Sequence, residues 1–333
     1  MLVTYIVKRS LVAVITLIIV SFVSFILVIL PPGDVLSAHM TLSAEQSGGG
    51  QSAEMMRQIE ALRERYGFDQ PLYVQYYRWM EGILTRGDFG YSFSAMRPVS
   101  DFVWGLMANT IILIVASLLF IFIFALPIGF YSAVKQYSIG DYVFTLFGFL
   151  GLAIPNFLLA LVLLFFFFNM TGQIMTGLYS NAMNNAPWSW ARFVDLLSHL
   201  WIPTLVIGSA GTAAAIRILR NNMLDELHKP YVQMARAKGV NEWKLLLKYP
   251  FRIAINPLLS TTGFLLPDLF GATIIVSIVL ALPSIGPMYL DSLLNQDMFL
   301  AGSIVLMIAA LTVIGTLISD ILLAIADPRI RLE

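Results

Sequence analysis

Cysteine is absent from this 333-residue chain. That excludes disulfide staples, thiolate catalysis and Cys-ligated zinc or iron–sulfur centres. Charge is scarce too: Asp, Glu, Lys and Arg make up 12% of the residues, against about 25% in a typical soluble domain. The formal net charge is zero, so the overall balance points neither to nucleic acid nor to an acidic substrate. Histidine occurs three times, at His39, His199 and His228, too scattered to ligate one metal. His199, beside Trp201, reads as a membrane-interface residue. There is no G-x-x-x-x-G-K-[ST] motif and no Gly-Lys dipeptide at all, so the chain has no phosphate-cradling loop of its own. Gly48–Gly50 reads as flexible linker. No catalytic triad or metal set is visible.

What the chain has is apolar surface. Hydrophobic residues are 58% of it and Phe occurs 23 times; the mean hydropathy is +0.81. A soluble fold of this size cannot hide that much, because surface does not shrink fast enough with size. Lipid must cover it. A bilayer core of about 30 Å needs about 20 apolar residues in a helix. Uncharged stretches near that length are Ser10–Leu30, Gly105–Tyr131, Tyr142–Met170, Leu200–Ile216 and Met298–Ser319. Asn256–Leu280 joins them if Asp268 is tolerated inside. Pro127, Pro155 and Pro203 fall in or near these spans, as membrane helices allow. The first stretch is too long for a signal-peptide core and no small-residue cleavage site closes it, which predicts a retained anchor.

Six spans place both ends on one side, and Lys and Arg in the short loops say which. Lys8, Arg9, Lys135, Arg217, Arg220, Lys229, Arg236, Lys238, Lys244, Lys248, Arg252, Arg329 and Arg331 share one face. The other face holds Arg57, Arg63, Arg65, Arg78, Arg86, Arg97 and Arg192, mostly in one long loop where the rule is weak. The expectation is an all-α polytopic membrane protein with cytoplasmic termini. Residues 1–30 form the N-terminus and first span, 31–104 an extracytoplasmic loop, and 105–333 a core that includes a cytoplasmic segment at 220–252.

The outer loop is more than a linker. After the flexible "LSAEQSGGGQSA", Met55, Ile59, Leu62 and Tyr66 recur at helical spacing, with Gly67 placed to end that helix. Pro71 suits the first turn of another, with Leu72, Tyr76, Trp79 and Ile83 on one face. Such stripes must lie on the membrane surface or on the outer mouth of the protein.

The cytoplasmic segment "YVQMARAKGVNEWKLLLKYP", Tyr231–Pro250, is basic and amphipathic. Leu224, Leu227, Tyr231, Met234 and Ala235 make a helical stripe opposed by Asp225, Glu226, Lys229, Arg236 and Lys238. Gly239 supplies a left-handed residue to stop that helix. Asn241 can cap a second helix, with Trp243, Leu246, Leu247 and Pro250 on one face. Two short helices joined by a glycine turn make a docking platform, either for anionic lipid, with Trp243 and Tyr249 as anchors, or for a protein partner.

"QMARAKG" resembles the EAA loop of the permease subunits of ABC importers, an E-A-A, three residues, Gly pattern. Gly239 and Ala235 match it, whereas Gln233 and Met234 depart from it. Other hallmarks of the dipeptide/oligopeptide/nickel branch occur in order over nearly the whole chain: "PPGD" at Pro31–Asp34, "YGFDQPLYVQYYRW" at Tyr66–Trp79, "RGDFGYSF" at Arg86–Phe93, "RPV" at Arg97–Val99, "LPSIG" at Leu282–Gly286 and "DPRIR" at Asp327–Arg331. The resemblance implies a type I ABC importer permease fold of six transmembrane helices. It implies a second homologous permease as partner in a heterodimer, two ATP-binding subunits that carry ATP and Mg, and an extracytoplasmic substrate-binding protein. Covalent chemistry on this chain, nucleic acid and a bound cofactor are not expected. The coupling role carries onto Tyr231, Ala235, Arg236, Ala237, Lys238 and Gly239, with Trp243 beside them. Small Ala235 and Ala237 would let the partner approach, and Arg236 and Lys238 would pair with acids across the interface. The resemblance implies a prokaryotic cytoplasmic (inner) membrane.

Asp268 is an ionisable group near the middle of a span, either lining a pathway or bonded between helices. With Asn109, Asn156 and Ser277 it forms the candidate translocation pathway. Asp320 and Asp327 read as interfacial or capping groups. Where the family carries Glu and then Trp-Pro-Gly, this chain has Ser277 and Leu282-Pro283-Ser284. Peptides are the substrates the resemblance favours. Oligosaccharides and metal chelates use similar permeases, and an ion-gradient transporter or an intramembrane enzyme is the rival from another class.

Overall fold

The structure, a computed structural model, describes residues 2–29, 60–61, 70–184 and 186–326. Pro31–Asp34, His39, the glycine run, Asp327–Arg331 and, apart from residues 60–61, the helix expected over Met55–Tyr66 with Gly67 lie outside the described residues. The elements are α1 (Leu2–Ile29), α2 (Leu72–Arg86), β1 (Tyr91–Ser92), β2 (Arg97–Pro98), α3 (Ser100–Val134), α4 (Ile139–Ala153), α5 (Asn156–Thr171), α6 (Trp190–Leu227), α7 (Pro230–Ala237), α8 (Glu242–Lys248), α9 (Pro250–Ala254), α10 (Asn256–Val279), α11 (Ile285–Leu294) and α12 (Met298–Ala326).

Five of these helices are long and apolar enough to cross a membrane, or six if α4 and α5 together make one bent span. Over the third expected span, Tyr142–Met170, the chain forms two helices meeting at 108°. Pro155 is the cause. It has no N–H to give a continuing helix and drives the residue before it out of the α region; Ile154 is extended, at φ −84° and ψ 122°. Leu200–Ile216 is only the apolar middle of α6, which runs on through Arg217 and Arg220 to Leu227. Helix geometry outlasts hydropathy because the polar end turns leave the hydrocarbon without losing their backbone bonds.

The chain forms two compact units: residues 1–13, 109–284 and 312–333, and residues 14–108 and 285–311. In the first unit α6 is the central helix, with Leu200, Ile202, Val206, Ile207, Leu219 and Met223 buried along it. Small residues bring its neighbours close. A Cβ on Gly208 would meet the Phe120 ring of α3, and Gly148 and Gly151 of α4 lie against Ala213 and Ser209. Such close backbone approach drives helix association in lipid, where apolar burial gains nothing over lipid contact. At one end of the α4–α6 pair, Arg220 donates two hydrogen bonds to Asp141, at 3.1 and 2.9 Å. Asp141 also accepts from the Tyr137 N–H at 3.0 Å.

In the second unit α2 opens with Pro71 as its N-cap and ends on Gly87 in the left-handed conformation. Tyr76, Trp79 and Ile83 do face inward, while Leu72 at the open end is exposed. The stripe lies on the chain's own first helix: Phe25 stacks on Trp79 at 5.5 Å and the Tyr76 hydroxyl meets Ser21 at 2.6 Å. Beside the helices, β1 pairs with β2 in a two-stranded hairpin. It is pinned by buried Asp297, whose Oδ2 accepts from Ser92 Oγ, Ser94 N–H and Ser94 Oγ at 2.7, 3.0 and 2.9 Å.

Candidate functional site

The platform is three short helices, not two, folded back on the end of α6 and on α3. Its interior is Phe130 and Ala133 of α3, Leu219 and Met223 of α6, Val232 and Ala235 of α7, Leu245 and Leu246 of α8, and Ala254 of α9. Each fully buried Leu, Val or Met contributes roughly 1.5–3 kcal/mol by leaving water, enough to hold helices that are far too short to persist alone. Gly239 sits at φ +74°. Around it the Val240 N–H returns to the Ala235 carbonyl at 3.3 Å and the Gly239 N–H to Arg236 at 3.0 Å, the paired bonds of a Schellman stop. Asn241 then caps α8 by accepting from the Trp243 N–H at 3.1 Å.

This packing corrects both expected stripes. The buried residues of α7 are Val232 and Ala235, while Met234 is 59% exposed. The inner face of α8 with the start of α9 is Leu245, Leu246 and Pro250, while Trp243 and Leu247 are 66% and 51% exposed. The reason is that the platform must present one face to α3 and α6, and the turn at Gly239 rotates α8 so that Leu245 points there. Trp243 still lays one ring face on Phe130, at 5.7 Å and 16°. Ala235, at 9% exposure, touches the chain's own core; Ala237 is exposed.

The charges are partly spent inside the platform. Arg236 Nε and Nη2 donate to the Glu242 carboxylate at 3.1 and 2.5 Å. That pair holds the Glu242 carboxyl below the usual glutamate range and raises Arg236 further. The Tyr231 hydroxyl donates to Glu226, and burial, then that carboxylate, pushes the phenol up. Lys229, Lys238 and Lys244 stay exposed with no ion-pair partner among the described residues. The outward face is therefore Met234, Trp243 and Leu247 set among lysines.

The candidate pathway residues do not share one face. Asn109 donates to the Pro283 carbonyl at 2.7 Å, and the Ser277 carbonyl accepts from the Leu282 N–H at 2.9 Å. Both brace the Leu282–Ser284 turn. Ser277 is fully buried, its hydroxyl unpartnered among the described residues, so it opens on no passage in this chain. Asn156 is the first residue of α5, at the corner with α4. Asp268 is exposed, midway along α10. His199 bonds to Asp195 of its own helix and His228 caps α6 on the Leu224 carbonyl. Among the described residues no group of His, Asp or Glu could hold a metal ion. Asp320 pairs with Arg9 at 3.3 Å. Sequence reasoning missed Asp141–Arg220 and Asp297, whose partners are 79 and more than 200 residues away.

Residues 125–332 match the family described as "Binding-protein-dependent transport system inner membrane component", and residues 1–113 match its N-terminal part. The chain belongs to that permease family. Over 328 residues, 98% of this permease and 99% of the relative, it is 33% identical to the "Oligopeptide transport system permease protein AppB" of Bacillus subtilis (strain 168). It is 29% identical to the Haemophilus influenzae "Oligopeptide transport system permease protein OppB" over 98% of this chain and 99% of that one. The "Glutathione transport system permease protein GsiC" of Salmonella paratyphi A is likewise 29% identical, over 98% of each chain. The matches run nearly end to end, so the platform and α10 both lie within the permease homology. This is a multi-pass inner-membrane component of a binding-protein-dependent ABC importer.

Proposed function

We propose that this permease imports peptides as half of a heterodimeric pore, driven by two ATPase subunits that seat on the α7–α9 platform. The observation that carries the reading is the platform's division of labour. Its interior is complete within the chain, and Met234, Trp243 and Leu247 are left outside among lysines. An exposed aromatic and aliphatic anchor set with a cationic rim suits a partner groove with acidic edges. Continuity of α6 from Trp190 to the platform makes it the lever that carries ATPase closure into the membrane. ATP and Mg sit on the ATPases, the platform and both termini face the cytoplasm, and a soluble binding protein delivers cargo from outside. Peptide is favoured because the relatives above are named for oligopeptide and glutathione transport.

The test is reconstitution of the permease pair, ATPases and binding protein in proteoliposomes. Peptide uptake should require ATP. Met234→Glu and Trp243→Glu should abolish ATPase assembly while leaving the permease folded. Uptake without ATP, or full assembly and uptake in both variants, refutes the docking reading. Uptake of a saccharide or a metal chelate in place of peptide refutes the cargo.

A further inference from the structure

Asp141, Asp195 and Asp320 of the apolar helices are answered inside the chain, by Arg220, by the Ser180 N–H and His199, and by Arg9 respectively. Asp268 is not. It is exposed, and among the described residues it has no hydrogen-bond or ion-pair partner. It sits at the middle of the 24-residue α10, with about 17 Å of helix on either side at 1.5 Å per residue. In a helix that spans the hydrocarbon layer this is its middle, where a bare carboxylate facing lipid is unfavourable and a facing cation or water is required.

Its neighbours on the helix say what kind of cation. Phe264, one turn before, is 74% exposed. A Cβ on Gly271, one turn after, would meet nothing within 4 Å. Phe264 and Asp268 are four residues apart, so their Cβ atoms stand about 5–6 Å from each other on one face. An ammonium or guanidinium can therefore meet the carboxylate and lie on the ring at once, with open space over Gly271. A neutral saccharide or an anionic chelate gains nothing from that pairing.

We propose that Phe264, Asp268 and Gly271 form a midway station for a cationic side chain of the transported peptide, that of Lys or Arg. This rests on the peptide reading above. The station makes the permease itself selective for positive charge, independently of the binding protein.

The test uses the full reconstituted complex with its binding protein saturated, and two peptides of matched shape, Ala-Lys-Ala and Ala-norleucine-Ala. Asp268→Asn is expected to lower Ala-Lys-Ala uptake roughly tenfold, the loss of one charge pairing, and to affect the norleucine peptide far less. Asp268→Glu should keep the preference, and Phe264→Ala should weaken it. Equal loss for both peptides assigns Asp268 to structure or to a cation of a partner subunit and overturns the proposal; no loss for either overturns it too. A wild-type complex that hydrolyses ATP yet moves neither peptide refutes the peptide reading and this inference together, and is recognised before any variant is made.

Discussion

Leu245→Ala tests the platform's inside-out assignment most directly. Leu245 is completely buried between α3, α6 and α7 in the cluster that includes Phe130, Met223 and Val232. Removing its isobutyl group forfeits the transfer energy and leaves a cavity, typically 2–5 kcal/mol. Taking about 3 kcal/mol, and one factor of ten per 1.4 kcal/mol, local opening should rise roughly 10²-fold. The whole chain should stay folded, because α10 and the upper part of α6 have their own packing. Amide hydrogen exchange of the detergent-solubilised permease reads this: exchange in Val232–Lys248 should quicken by about that factor, with little change in α10. Met234→Ala and Leu247→Ala remove exposed side chains and should leave exchange nearly unaltered while weakening ATPase assembly. If the two exterior variants opened the platform as much as Leu245→Ala, the division into inner and outer faces would be wrong.

Gly239→Ala meets open space but a left-handed backbone, so it should cost the platform about 1–2 kcal/mol, with Asn better tolerated than Ala, as read by the same exchange. Glu242 has a depressed pKa from Arg236: its contribution exists above the unfolded glutamate pKa and is lost as pH falls through the lower folded value. Since both partners are about half exposed, Glu242→Gln should remove under about 1 kcal/mol and abolish that acid-side loss in a pH series of exchange rates. Asp141→Asn leaves Arg220 without its ion pair at a site where the carboxylate is almost wholly buried. It should destabilise by about 3 kcal/mol, more than the double apolar replacement Asp141→Leu with Arg220→Met, in thermal melts of the purified permease.

What the sequence determined by itself was whatever depends on local composition and spacing. Ser10–Leu30 had to be membrane because nothing soluble could cover it, Gly239 had to stop a helix because few other residues hold φ +74°, and Asn241 had to cap the next one. The motif order placed the permease family for the same reason, since motifs are linear. Tertiary structure alone decided which side of α7 and α8 is inside. A period of 3.6 residues permits several stripes, and only contact with Phe130 and Met223 selects Val232 and Leu245 over Met234 and Leu247. It also chose the partners of the rare charges. Asp141 and Arg220, or Asp297 and Ser92, meet across distances in sequence that no local pattern encodes, and among the described residues none pairs with Asp268.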